Sequence, residues 1–157
     1  MSRGIQGSLL ALALVFAAAA GASEEASLED RVERLNRITP STSDIMFQVG
    51  HRYQDLYWAA KLGKWSFAEY QLEEIEAMLE TLQVAVPKRA ATTQVFLDQG
   101  LEGFETAFKD QDWKAFQGAF KNMHDQCMAC HVANDHDFIV LPIEPVTAHS
   151  VILNLSR

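Results

Sequence analysis

Four apolar stripes with helical spacing constrain the fold of this 157-residue chain more than any other feature of its sequence. In each stripe the apolar side chains recur every three or four residues, which places them on one face of an α-helix. Alternating steps of three and four are typical of helices that pack side by side at a shallow angle. The stripes are Met46, Val49, Tyr53, Leu56 and Ala60; Ala68, Leu72, Ile75, Leu79, Leu82 and Val86; Leu97, Leu101, Phe104 and Phe108; and Trp113, Phe116, Phe120, Met123, Cys127 and Cys130.

The connections between the striped segments are short, at residues 63–65, 87–90 and 109–111. Helices joined by such short loops run antiparallel to their neighbours. We therefore predict an all-α fold, an antiparallel up-down-up-down four-helix bundle. A short, charge-rich helix over residues 27–37 precedes it, and an extended tail follows, because two prolines bar a helix there.

Capping residues predict where these helices begin and end. Ser43 is expected to cap the first bundle helix, and Ser66 with Glu69 to form a capping box at the second. Gly63 and Pro87 stand where the first and second helices should end. Asp112 is expected to cap the fourth helix.

The first 22 residues have the three-part pattern of a secretory signal peptide. Arg3 precedes an apolar run, and Ala20 and Ala22 supply the small residues of a cleavage site. The run is short for a membrane span of about 20 residues, so cleavage after Ala22 is favoured over a retained anchor. We predict a signal peptide at 1–22, a short amphipathic helix and linker at 23–42, the bundle at 43–137 and the tail at 138–157. The mature protein should be periplasmic, with no membrane span.

The charge balance limits the partners of the chain. Asp and Glu number 21 against 13 Lys and Arg, for a formal net charge of -8. Nucleic acids and anionic membranes bind clustered positive charge, so neither is expected as a partner. Acidic helix faces could instead steer a basic redox partner protein by long-range attraction. A homodimer is left open.

The two cysteines of the chain belong to the sequence Cys127-Met128-Ala129-Cys130-His131. C-x-x-C-H is the attachment sequence of c-type haem. Positions i, i+3 and i+4 share one face of a helix, so two thiols can bond the vinyl groups while the imidazole reaches the iron. We expect one covalent haem c, bound through Cys127 and Cys130, with His131 as the proximal iron ligand.

Three other interpretations of this sequence compete with haem attachment. A thioredoxin-like redox pair belongs in a βαβ context, of which the sequence shows no sign. A zinc site would need a further ligand, which His124, His136 or His149 could supply, but at no standard spacing. A disulfide across two intervening residues of a helix would be strained.

A single C-x-x-C-H near the end of an exported four-helix bundle resembles the class II c-type cytochromes, the family of cytochrome c-prime and its low-spin, methionine-ligated relatives. The resemblance covers residues 43–131 and implies thioether bonds at Cys127 and Cys130 with iron ligation by His131. The chain departs from the family in two respects. It has Val132-Ala133-Asn134-Asp135 where the family has an aromatic-basic pair, and 26 residues follow His131. A tail of that length could cover the haem edge.

The sixth iron ligand separates the possible functions. In an antiparallel bundle the start of the first helix lies beside the end of the fourth, which makes Met46 and His51 the candidates. They are about 140° apart around a helix, so only one is expected to face the haem. Met46 lies on the apolar stripe, and low-spin members of the family have a methionine near the start of the first helix, so we place Met46 first. An open iron and His51 follow, and Met46 could also be an ordinary core residue.

The choice of sixth iron ligand decides between different functions for this chain. An iron with both axial positions filled suits an exported monohaem c-type cytochrome that acts in electron transfer. A five-coordinate haem beside Phe47, Tyr53 or Phe96 would instead bind a small gas such as nitric oxide or carbon monoxide. A non-haem structural helical module is the third hypothesis. No nucleophile lies beside a base in the sequence, so no enzymatic activity is expected.

Overall fold

A computed structural model of the protein describes residues 27–146. Between these residues the chain is all-helical and contains no β-strand. The signal peptide predicted at 1–22 and the tail beyond residue 146 lie outside the described part. The helices are α1 (Leu28–Ile38), α2 (Thr42–Lys61), α3 (Trp65–Ala85), a 3-10 turn (Pro87–Arg89), α4 (Ala90–Gln99), α5 (Phe104–Asp110) and α6 (Trp113–Ala133).

The chain divides between Thr39 and Pro40 into two compact units, of which the first contains α1. This helix begins in a capping box formed by Ser27 and Asp30, and it matches the helix predicted over 27–37 to within one residue. None of its residues is buried. The cap, which is worth about 0.5–2 kcal/mol, therefore matters more to α1 than packing does.

The first helix of the second unit is capped by Ser41, so the prediction of a Ser43 cap is wrong. The Ser41 hydroxyl accepts a hydrogen bond from the Asp44 N–H at 3.2 Å, and the Asp44 carboxylate accepts one from the Ser41 N–H at 2.9 Å. Asp44 is the third residue after the cap, and it makes the hydrogen bond that glutamate or glutamine makes in the usual capping box. At its other end α2 reaches Gly63, whose φ of +71° fits the expected helix end.

The capping box predicted at Ser66 and Glu69 is also wrong, because α3 begins at Trp65 with no side-chain cap. The turn before it is a Schellman motif, in which the Lys64 N–H donates to the Ala59 carbonyl at 2.8 Å and the Gly63 N–H to the Ala60 carbonyl at 3.0 Å. This turn passes directly into α3 and leaves no residue for a separate cap.

The third predicted helix is broken into α4 and α5. Gly103 lies between them with a φ of +88°, a left-handed conformation that glycine adopts without strain. A Cβ at this position would lie 3.4 Å from the Ala119 Cβ, at the edge of ordinary van der Waals contact, so the backbone conformation and not the packing calls for glycine here. The stripe of Leu97, Leu101, Phe104 and Phe108 therefore spans two short helices instead of one.

The core is centred on Phe116, which is fully buried on α6. Asp112 caps this helix as predicted, accepting hydrogen bonds from the N–H groups of Lys114 and Ala115 at 2.8 and 3.2 Å. Helix α2 packs on α3 and α6, α3 also contacts α4 and α5, and both short helices contact α6. Within residues 27–146 no helix has the length and apolar character needed to cross a membrane. Five aromatic rings surround Phe116: Trp65, Phe104, Phe108, Trp113 and Phe120.

The tail forms no helix between residues 138 and 146. It is fastened by hydrogen bonds from side chains of α2 and α6 to its backbone carbonyls. The Tyr53 hydroxyl donates to the Pro142 carbonyl at 2.8 Å, and the Trp58 indole N–H donates to the Pro145 carbonyl at 3.1 Å. The segment after α6 is therefore attached to the helices at several points.

Candidate functional site

The residues of the C-x-x-C-H sequence line a cavity of about 420 Å³. This volume lies within the range of roughly 300–1,000 Å³ that small-molecule and cofactor sites occupy. Helix α6 supplies Cys127, Cys130 and His131, and α2 supplies Met46 and His51. The five residues predicted from the sequence as haem attachment points or possible iron ligands thus line one cavity. Its remaining apolar wall comes mainly from α3, α4 and the tail: Leu79, Leu82, Phe96, Ile139 and Leu141.

The side of the cavity formed by α2 was only partly predicted from the sequence. Met46 is half-buried at the cavity, and Ile45, which was not part of the predicted stripe, is buried in the core. Met46 and His51 both line the cavity, and the expectation that only one of them would face the haem stays a prediction. The His51 ring lies beside the Phe47 ring, with 4.5 Å between centroids.

Gly50 opens a gap in the same wall. It lies inside α2 and lines the cavity, and a Cβ built on it would meet no atom within 4 Å. A glycine inside a helix destabilises it by about 1 kcal/mol relative to alanine. The gap gives a bound group direct access to the helix backbone at this point, which a side chain would occupy.

A backbone carbonyl of the tail fixes the His131 ring. Its Nδ1 lies 2.8 Å from the Ile139 carbonyl oxygen. A carbonyl can only accept, so Nδ1 donates this hydrogen bond, and in the neutral imidazole the lone pair then lies on Nε2. Metal-ligating histidines commonly donate their other ring N–H in this way. The contact with Ile139 could not be predicted from the sequence, because a backbone carbonyl leaves no side-chain pattern there.

The environment of the cysteines does not favour a redox-active pair. Burial, and to a smaller extent the neighbouring Cys130, raise the pKa of the Cys127 thiol to about 12. Reactive cysteines have a lowered pKa, because the thiolate is the nucleophile. The two cysteines are also not joined in a disulfide. The raised pKa of Cys127 therefore argues against a thioredoxin-like centre.

The histidines considered as zinc ligands have other partners in the described part of the chain. His124 Nε2 lies 3.1 Å from the Leu141 carbonyl, and His136 Nδ1 lies 2.5 Å from the Asn134 carbonyl. His149 lies outside the described residues. Among residues 27–146, no group of three or more His, Cys, Asp or Glu is arranged to hold a metal ion, as a zinc site there would require.

Tyr53 shows how the polar groups of the cavity wall are satisfied. Its side chain is buried, and this burial raises the pKa of the hydroxyl above its ordinary value. The hydroxyl therefore stays neutral and donates its proton to the Pro142 carbonyl. The Tyr53 ring packs against Phe120, with 4.5 Å between centroids. Tyr53 is thus a fixed part of the wall that also fastens the tail.

Arg89 lines the cavity and was not identified from the sequence. Its Nη1 donates to both the side-chain and the backbone oxygen of Asn134. Its Nε is buried and has no hydrogen-bond partner among residues 27–146. No other lysine or arginine, and no aspartate or glutamate, lines this cavity among the described residues. The cavity therefore has a mostly apolar wall with one permanent positive charge.

The residues present fit a c-type haem. Two thiols and the imidazole of His131 lie at the end of α6 and line the cavity. Gly50 on α2 leaves open space at the wall where a side chain would otherwise lie. Apolar side chains make up most of the remaining wall. No protein-family model matches the chain, and neither the curated proteins nor the solved structures compared with it include a match.

Proposed function

We propose that the protein is an exported monohaem c-type cytochrome that transfers electrons and has no enzymatic activity. The proposal rests on one observation: Cys127, Cys130 and His131 share a cofactor-sized cavity, and the Ile139 carbonyl orients His131 so that Nε2 is free. Cys127 and Cys130 would hold the haem by thioether bonds, and His131 would be its proximal iron ligand. When bound, the haem supplies reversible one-electron chemistry.

We assign the sixth ligand to Met46, which lines the cavity from α2. A thioether ligand raises the reduction potential and leaves no open position at the iron. In this proposal the second unit is an antiparallel up-down-up-down bundle, in which α4 and α5 together form the third helix. This arrangement is that of the class II c-type cytochromes, to which the motif is similar.

The cavity wall, the surface charge and the signal sequence also fit the proposed electron-transfer function. Apolar side chains, including Ile139 and Leu141 of the tail, make up much of the cavity wall, which would limit the access of water to a bound haem. The net charge of -8 would steer a basic redox partner toward the acidic surface. The signal sequence at residues 1–22 would direct the protein to the periplasm, where cleavage leaves it without a membrane span.

A five-coordinate haem that binds a small gas is the second candidate function. Phe47 and Phe96 line the cavity beside Met46, and such an apolar wall would favour nitric oxide or carbon monoxide over anions. His51 lines the cavity as well, so it remains the alternative sixth ligand. A structural module with unmodified cysteines is the third possibility.

An optical spectrum of protein made with haem-maturation machinery distinguishes these candidates. Electron transfer through Met46 predicts a low-spin spectrum with the long-wavelength band of methionine ligation in the oxidised form. This band should disappear in Met46→Ala and persist in His51→Ala. Met78→Ala is the matched control, since Met78 packs on the core from α3 and does not line the cavity. A high-spin ferrous form that binds carbon monoxide would support the gas-binding candidate, and a colourless protein the structural module.

A further inference from the structure

Arg89 is a cation without an anionic partner at the wall of the cavity. Within residues 27–146 no carboxylate forms an ion pair with it, although the whole chain contains 21 acidic side chains. Its Nε is buried and makes no hydrogen bond within the described part of the chain. An unsatisfied buried donor destabilises a fold by about 1–3 kcal/mol, and more when the group is charged. Arg89 lines the cavity, so an anion bound there would supply the guanidinium with the negative partner that it lacks among these residues.

The guanidinium is already fixed in position. Asn134 accepts hydrogen bonds from Nη1 through its side-chain and backbone oxygens. The Asn134 amide in turn donates to the Thr92 hydroxyl at 2.9 Å and to the Cys130 carbonyl at 2.8 Å. The hydroxyls of Thr92 and Thr93 bond the Arg89 carbonyl at 3.1 and 2.9 Å. These bonds connect Arg89 to the helical turn that bears Cys130.

A preorganised arginine in an apolar cavity selects a particular ligand chemistry. A guanidinium binds carboxylates through charge-assisted hydrogen bonds that are about twice as strong as neutral ones. The cavity walls contain no carboxylate that could compete for it among the described residues. The complementary ligand is an apolar body with at least one free carboxylate at its edge.

We infer that Arg89, held in place by Asn134, binds a carboxylate side chain of the ligand in this cavity. The inference rests on the proposed function, under which that group is a propionate of the haem. Arg89 would then fix which edge of the porphyrin points toward α4 and would hold the propionate in its ionised form.

The test uses the full-length chain with Cys127→Ala and Cys130→Ala, which removes covalent attachment and keeps His131. Its affinity is measured for haem and for haem dimethyl ester, which lacks free carboxylates. Adding Arg89→Gln should weaken haem binding about tenfold or more, as expected for loss of a charge-assisted hydrogen bond, and should leave ester binding unchanged. Arg89→Lys should restore part of the affinity for haem.

Arg52→Gln is the matched control. Arg52 is also partly buried, but it is paired with Gln71 at 2.9 Å and Glu74 at 3.1 Å and does not line the cavity. It should change neither affinity. If Arg89→Gln weakens haem and ester equally, or weakens neither, Arg89 does not bind the carboxylate. Circular dichroism of each variant separates these outcomes from loss of the fold.

A second measurement applies to the covalent holoprotein and covers the case in which the cysteine-free chain binds no haem. Arg89→Gln should lower the reduction potential, because it removes a positive charge that destabilises the ferric state. It should also add a pH-dependent step to the potential, since the propionate pKa is no longer held down. An unchanged potential and pH profile would overturn the role of Arg89 while the cytochrome proposal stands. Wild-type protein that matures without any covalent haem would instead overturn the proposed function itself.

Discussion

Replacing Gly50 with leucine should stabilise the apoprotein and prevent haem attachment. Gly50 lies inside α2, where a Cβ would meet no atom within 4 Å. A glycine inside a helix costs about 0.5–1 kcal/mol relative to a residue with a side chain, so the apoprotein should gain about that amount. The leucine side chain would extend from a residue of the cavity wall, and a porphyrin could no longer lie against α2.

Gly118 provides the matched control for this substitution. It lies inside α6, and a Cβ built there would also meet no atom within 4 Å, but it does not line the cavity. Gly118→Leu should give a similar gain in apoprotein stability with haem attachment unchanged. The pair therefore separates the effect of helix propensity from the effect of occupying the cavity.

Two measurements complete the experiment. Urea denaturation of apoprotein from cells without maturation machinery should show a higher free energy of unfolding for both variants. The covalently retained haem per protein, after acid-acetone extraction of protein from cells with the machinery, should fall strongly in Gly50→Leu only. Normal haem content in Gly50→Leu would refute the assignment of this cavity. A less stable apoprotein would refute the inference that the space beside Gly50 is open.

Three further predictions concern the fold. Phe116→Ala should lower the free energy of unfolding by about 3–5 kcal/mol in urea denaturation, because Phe116 is fully buried. Trp58→Phe leaves the Pro145 carbonyl without its donor, so the free energy of unfolding should fall by about 1–3 kcal/mol and proteolysis of the tail should be faster. Hydrogen bonds from Ser41 lower the pKa of Asp44, so this cap stabilises the fold fully above the unfolded-state pKa and less as pH falls through the folded-state value. The urea midpoint of wild type should therefore drop more between pH 7 and pH 3 than that of Asp44→Ala.

Features that depend on nearby residues could be predicted from the sequence. The apolar spacing located α2, α3 and α6 to within a few residues, because each buries one face along its length. The Asp112 cap depends on hydrogen bonds from Lys114 and Ala115, two and three residues further on, and the prediction of that cap is confirmed. The break at Gly103 was missed because glycine is tolerated within a helical pattern. Nothing in the local spacing shows that Gly103 would adopt a left-handed conformation instead of continuing the helix.

Features that depend on distant residues could not be predicted. The Ile139 carbonyl orients His131 through a backbone atom, and no side-chain pattern marks it. Arg89 joins the cavity because the 3-10 turn brings it beside Asn134, 45 residues further along the chain. Met46 was selected from the sequence for its place on α2. Its position on the cavity wall is compatible with iron ligation, which stays a prediction.

The intact mass of the exported protein tests the central claim most directly. The measurement compares wild type with the Cys127→Ala/Cys130→Ala variant, both produced with haem-maturation machinery and denatured before analysis. We expect wild type to have lost residues 1–22 and to carry the mass of one haem, and the variant to carry none. A wild-type mass equal to that of the unmodified polypeptide would contradict the account.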